Sequence, residues 1–283
     1  MINDLIYLDS IIQRALEEDI GPGDVTTDSI IDPHSTGRAV LLAKEHMILA
    51  GLPIFSMVFT LLDPELQFEY LCKDGAAVRT GDVICRISGR LAPILKAERT
   101  ALNFVQRMSG IATLTNDYIE RAGRGKVKIL DTRKTVPGLR ALDKYAVRMG
   151  GGLNHRIGLF DGILIKDNHI AAAGSIKKAV ELAKTNSPHT LKVEVEVETL
   201  VGVQEALDSG ADIIMLDNMP IDTMKQAVRL INRKVLVEVS GGVTLGNIPE
   251  IADIGVDFIS IGALTHSAKA MDLSLEILAQ DKG

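Results

Sequence analysis

The order of apolar and polar positions divides the chain near residue 110. At the start, Leu5, Leu8, Ile12 and Leu16 recur every three or four residues among Asp and Glu side chains, which predicts an amphipathic helix and not a cleavable leader. Gly21-Pro22-Gly23-Asp24 breaks it, and the short polar side chains from Asp24 to Ser29 suit turns and caps. From Gly37 to Gly89 brief β-prone runs predict strands at residues 38–44, 67–72 and 83–87, with a helix near 53–62. Within this mainly β, α+β unit, residues 74–89 resemble half of a lipoyl or biotinyl carrier. They lack the modifiable lysine between the hairpins, so a plain structural hairpin is expected.

Residues 97–123 carry Leu102, Val105, Met108, Ile111 and Leu114 at helical spacing. Beyond them one theme repeats six times: a β-branched run ends in a polar or glycine-rich group, and a helical stretch follows. The runs are 127–130, 163–165, 193–197, 213–216, 235–239 and 258–261. Glu196, Asp217, Ser240 and Gly262 succeed one another at intervals of 21, 23 and 22 residues, each the length of one strand plus one helix. Alternating βα units of this period predict a parallel sheet, and six of them fit a barrel or near-barrel whose polar strand ends meet at one mouth.

Composition narrows the function. The 283 residues are 46% hydrophobic and 24% charged, enough for a large core, and the 4% aromatic share without Trp makes that core aliphatic. A net charge of -6 argues against a general nucleic-acid binder. Cys72 and Cys85 match no zinc or redox spacing and read as reduced thiols. With no long apolar run either, a cytoplasmic location is expected.

Against that acidic background, residues 131–169 hold seven Lys and Arg side chains and four Asp, a local excess of +3. The cations are Arg133, Lys134, Arg140, Lys144, Arg148, Arg156 and Lys166. Several stand at strand ends, where a pocket for a multiply anionic small molecule is the sharper reading and a solvated basic face the blander one. Paired arginines grip carboxylates with bidentate hydrogen bonds, and His155 lies beside Arg156 after three glycines. In residues 191–198, Lys192, Glu194, Glu196 and Glu198 alternate with apolar residues. That pattern suits an edge strand with one solvated face, or a barrel strand whose inward carboxylates need cations or hydrogen-bond partners. Glu196 and Asp217 are placed to share Mg2+ or ribose hydroxyls. The glycine-rich strand ends in 237–243 and 259–267, each followed by a predicted helix start, expose backbone N–H groups suited to phosphate, with a tight ligand-free turn as the plainer reading.

The motifs EEDIGPGDVTTD, ERTALNFVQRMSGIAT, DTRKTVPGLR, GGGLNHRIGLFDGILIKDNH, VEVEVE, MLDNM, VSGGV and IGALTHS together resemble the quinolinate phosphoribosyltransferases, also called carboxylating nicotinate-nucleotide pyrophosphorylases. The resemblance covers nearly the whole chain. It implies an N-terminal α/β sandwich (1–110) rejoined by a C-terminal helix (268–283), and an open, incomplete α/β barrel (111–267). It also implies a homodimer with shared sites, in which Arg99 reaches the neighbouring subunit. By motif, Thr132, Arg133, His155, Arg156 and Lys166 would bind quinolinate. Lys134, Glu196, Asp217, Ser240, Gly241, Gly242 and Gly262 would hold phosphoribosyl pyrophosphate and Mg2+, with Asp167, Asn168 and His266 as lesser contacts. The alternatives are a similar paralogue associated with molybdate transport, and a phosphate-binding barrel lyase or isomerase.

Overall fold

The computed structural model describes residues 8–278, and their contacts separate into two units. The first contains residues 8–114, 136–151 and 267–278; the second contains 115–135 and 152–266.

In the first unit the helix Leu8–Ile20 buries Leu8, Ile12 and Leu16, the predicted stripe; Leu5 falls outside the described residues. Asp24 caps the next helix, Val25–Ile30, by accepting from the Thr26 and Thr27 N–H groups at 3.0 Å each. Five strands follow: β1 (Thr36–Ala43), β2 (Met47–Ile48), β3 (Gln67–Tyr70), β4 (Ala77–Val78) and β5 (Val83–Arg90). β1 and β3 flank β5 in an antiparallel sheet, and β2 pairs with β4. The helix Leu52–Leu62 buries Phe55, Val58 and Phe59, and each such side chain contributes about 1.5–3 kcal/mol by leaving water. In the candidate carrier segment Asp74 is a structural staple. Its carboxylate accepts from Gly51 N–H, Leu52 N–H and the Tyr145 hydroxyl at 2.8, 3.1 and 2.7 Å.

The helix Leu91–Ala122 leads from the first unit into the second. There the six repeated runs form β6 (Lys128–Leu130), β7 (Ile163–Ile165), β8 (Val193–Val197), β9 (Ile213–Asp217), β10 (Leu236–Ser240) and β11 (Phe258–Ser260). All pair in parallel, in the order β6-β11-β10-β9-β8-β7. Because the first strand joins the last, the sheet is a ring left open between β6 and β7, the incomplete barrel that six βα units predict. Leu153 makes a parallel bridge to Leu130 at the open edge, which lays residues 153–156 along β6. Ser175 and Thr199 cap the helices Ile176–Asn186 and Leu200–Asp208 through their side-chain oxygens.

Three sequence expectations need correction. The C-terminal segment is not a helix where described: β12 (Leu273–Leu278) pairs antiparallel with β1 from Arg38↔Leu278 to Ala43↔Leu273, and its remainder lies outside the described residues. Alternating Leu273 and Leu275 go into the core, and this edge pairing overrides the helix preference of Leu and Glu. Residues 136–151, expected in the barrel, cluster with the first unit. The turn after Ser240 is longer than predicted, with the next helix starting only at Ile248. Among the described residues no helix is long and apolar enough to cross a membrane.

Candidate active site

Strand polarity sends the C-terminal ends of β6–β11 to one mouth, which encloses a cavity of about 650 Å³. Period-2 alternation decides what faces inward. Lys166 follows β7, Glu196 lies on β8, Asp217 and Ser240 end β9 and β10, and Gly262 follows β11. Thr132, Arg133 and Lys134 enter from the end of β6, and His155 and Arg156 from the segment bridged to it.

Around Arg133 and Arg156 the cavity wall is cationic. Burial first, then the neighbouring Arg133 charge, pulls the Arg156 guanidinium below its ordinary pKa. Arg156 Nη1 donates to the Gly162 carbonyl at 3.0 Å, while its buried Nε has no protein partner. Two crowded guanidinium groups favour an anion between them. Asp131, fully buried, fixes the preceding backbone: it accepts from Asn154 Nδ2 at 2.6 Å and His155 N–H at 2.9 Å. The His155 ring lines the mouth with both nitrogens engaged. Nδ1 accepts from Arg156 N–H at 2.9 Å, and Nε2 lies 3.0 Å from Glu194 Oε2.

In the same cavity, Lys166 Nζ is ion-paired to Glu196 Oε2, and Asp217 Oδ2 accepts from Asn218 Nδ2 at 2.9 Å. Gly241 and Gly242 both have positive φ, +84° and +62°, which turns the backbone sharply after β10. Gly262 is small for another reason: a Cβ there would come within 2.9 Å of the Lys134 stem and 3.2 Å of the His266 ring. Lys134 is set by its own backbone, its N–H donating to Thr132 Oγ1 at 3.0 Å and its carbonyl accepting from Thr265 Oγ1 at 2.7 Å.

Of the residues that the family resemblance assigns to the site, all but three line this one cavity. Arg99 is exposed on the helix Leu91–Ala122 in the first unit; Asp167 and Asn168 begin the helix Asp167–Ala173 and do not line the mouth. The basic stretch also divides. Arg133, Lys134, Arg156 and Lys166 line the cavity, whereas Arg140, Lys144 and Arg148 belong to the helix Arg140–Met149 of the first unit.

Two features escaped the sequence reading. Asn218, at φ +50°, packs against Gly241 and holds Asp217. Beneath the mouth, His155, Glu194 and Glu238 bring ligand-type atoms within 4.8 Å of one another. Glu238 is nearly sealed from solvent; burial, then the Glu194 charge, pushes its carboxyl up to about 8. The available signal was spacing: Glu194 and Glu238 stand two residues before Glu196 and Ser240 and so share their inward face.

An open parallel ring of βα units, with cations, carboxylates and a glycine turn converging at its C-terminal rim, defines an α/β-barrel-type enzyme for small anionic substrates. The family model for the quinolinate phosphoribosyl transferase C-terminal domain matches residues 111–276, and that for the N-terminal domain matches 24–109. This chain belongs to the quinolinate phosphoribosyltransferase family. The probable nicotinate-nucleotide pyrophosphorylase [carboxylating] of Synechocystis sp. is 47% identical over 276 residues, covering 96% of this chain and 93% of that protein. The Bacillus subtilis protein of the same name is 45% identical over 272 residues, covering 96% and 94%. Among solved structures, NadC from Streptococcus pyogenes superposes with a TM-score of 0.92 at 44% identity, covering 97% of this chain and 98% of that one.

Proposed function

We infer that this chain transfers the phosphoribosyl group of phosphoribosyl pyrophosphate to quinolinate and releases carbon dioxide, giving nicotinate mononucleotide and pyrophosphate for NAD biosynthesis. Family membership supports the reaction class, and one observation supports the acceptor: the crowded Arg133–Arg156 pair, whose mutual repulsion a planar dicarboxylate relieves. On this reading Thr132, His155 and Lys166 complete the acceptor's surroundings.

Lys134 and the turn at Ser240, Gly241 and Gly242 bind the phosphates, with Gly262 leaving room for the lysine and His266. Asp217 and Glu196 add hard carboxylate oxygens beside that space, a donor set suited to Mg2+ completed by substrate oxygens and water. Bound there, the ion supplies charge neutralisation of the pyrophosphate. As the C1–oxygen bond of the sugar breaks, positive charge grows on the ribose, and the Glu196 and Asp217 carboxylates stabilise it. The pyridine nitrogen bonds to C1. The C2–carboxylate bond then breaks to release carbon dioxide, the adjacent cationic ring nitrogen stabilises the electron pair that stays at C2, and a proton from solvent takes up that pair to complete the product. The arginines must hold the dicarboxylate without over-stabilising the carboxylate that leaves.

The reading extends to a homodimer in which Arg99 completes the partner's site, and to a cytoplasmic setting suited to the free thiols of Cys72 and Cys85. Turnover is tested with quinolinate, phosphoribosyl pyrophosphate and Mg2+, with nicotinate as competing acceptor. Nicotinate mononucleotide formed with equimolar carbon dioxide supports the assignment. Turnover of quinolinate without phosphoribosyl pyrophosphate would instead indicate a lyase.

A further inference from the structure

His155 is held by protein at its backbone and at both ring nitrogens. Its backbone N–H is committed to Asp131, and its Nδ1 accepts the Arg156 N–H. A ring nitrogen that accepts carries no proton, so the neutral ring is protonated at Nε2, and that N–H donates to Glu194 Oε2 at 3.0 Å. Glu238 Oε1 stands 3.8 Å from the same nitrogen. The side chains are enclosed, with 12% of His155, 7% of Glu194 and 2% of Glu238 exposed. Thus neither ring nitrogen is directed at a bound substrate, and the ring meets the mouth through its carbon edge and face.

Two inward carboxyl groups beneath an active-site mouth carry a desolvation cost that an aliphatic pair would avoid. At the alternating positions of the same strands, Val195 and Val239 are buried with no such cost. Among the described residues the geometry brings the ring that abuts Arg156 against both carboxyls, with the Ser260 hydroxyl beside Glu238.

We propose that Glu194 and Glu238 are positioning residues for the acceptor half of the site: by fixing the tautomer and tilt of the His155 ring from below, they set the Arg156 backbone and the wall against which the pyridine dicarboxylate lies. This rests on the functional reading above for the identity of the ligand, though not for the hydrogen-bond chain. Glu194 is the principal contact. Glu238 backs it, its Oε1 approaching the same Nε2.

The test combines 15N-histidine NMR of the intact protein with steady-state kinetics, using His155→Gln to identify the His155 signals. In the wild-type protein His155 shows a protonated Nε2 and an unprotonated Nδ1. Glu194→Ala loses that single tautomer and raises the KM for quinolinate about tenfold or more, while the KM for phosphoribosyl pyrophosphate changes less than about twofold. Glu194→Gln, whose amide oxygen still accepts from Nε2, keeps the tautomer and a quinolinate KM within about threefold of wild type. If Glu194→Ala does not fold, Glu194→Gln decides by the same two readouts. A wild-type Nδ1–H tautomer, a folded Glu194→Ala with unchanged quinolinate KM, or loss of the tautomer in folded Glu194→Gln would overturn the proposal. Wild-type protein that fails to turn over quinolinate but shows the Nε2–H tautomer would instead count against the substrate assignment.

Discussion

A Cβ on Gly241 would overlap the side-chain amide of Asn218, the residue that donates to Asp217. The turn after β10 and the carboxylate at the end of β9 are therefore one steric unit. Register supports this coupling, since Ser240 pairs with Asp217 and Asn218 N–H donates to the Ser240 carbonyl at 3.0 Å.

Gly241→Ala is expected to cost about 1–3 kcal/mol, from the strained φ of +84° and from displacement of Asn218. The KM for phosphoribosyl pyrophosphate should rise with it. Adding Asn218→Gly removes the overlap and leaves only the backbone cost, so the two substitutions should be less than additive in urea unfolding. Strict additivity would show that the steric link has no energetic weight.

Arg133→Ala removes half of the paired guanidinium clamp. Loss of a buried charge contact to a carboxylate is worth about 2–5 kcal/mol, so the quinolinate dissociation constant should increase at least roughly 30-fold. Because Arg133 also repels Arg156, the thermal midpoint of the free protein should hold or rise. Calorimetric titration and a melting curve on the same sample check both halves. A lowered midpoint with intact quinolinate binding would assign Arg133 to the fold instead.

Glu196→Gln is expected to lower kcat by about 10²–10³, the usual scale for removing one electrostatic contact to a charged transition state, with quinolinate affinity changed far less. The substitution also breaks the ion pair with Lys166. Lys166→Met in the same background separates the two effects. If lost pairing alone explained the deficit, the single and double variants would share one kcat, with Lys166→Met equal to both.

Much of this arrangement was legible in the chain. The βα period located all six barrel strands, and strand polarity then gathered Arg133, Lys134, Glu196, Asp217 and Ser240 at one rim. What stayed hidden depended on contacts between distant positions. The charge count over residues 131–169 merged two surfaces, because no local signal tells that Arg140, Lys144 and Arg148 belong to a helix of the other unit. The helix that the resemblance implies for 268–283 gives way over Leu273–Leu278 to a strand whose partner, β1, lies more than 200 residues earlier, a pairing that no local pattern shows. The Asn218–Gly241 contact required knowing that β9 and β10 are adjacent.

Glu238 makes stability depend on pH in a stated direction. Its folded-state carboxyl titrates at about 8 against an ordinary 4.5, so the folded state holds the proton more tightly. The associated stability is fully present below about pH 4.5 and is lost as pH rises towards 8, with a slope of at most about 1.4 kcal/mol per pH unit. Glu238→Gln should flatten urea-unfolding stability across that window. The decline at still lower pH should remain, because Asp24 and Glu276 have lowered values and lose their contribution as pH falls. An unchanged slope between pH 5 and 8 in the variant would locate the titration elsewhere.

The central claim is that one mouth holds a doubly charged pyridine beside an activated sugar, and its most direct test follows carbon dioxide from quinolinate labelled at the C2 carboxylate. With phosphoribosyl pyrophosphate and Mg2+ present, label should leave in step with pyrophosphate, one for one, and Arg156→Ala should suppress both. Label release without phosphoribosyl pyrophosphate, or pyrophosphate release with the label retained, would contradict the account.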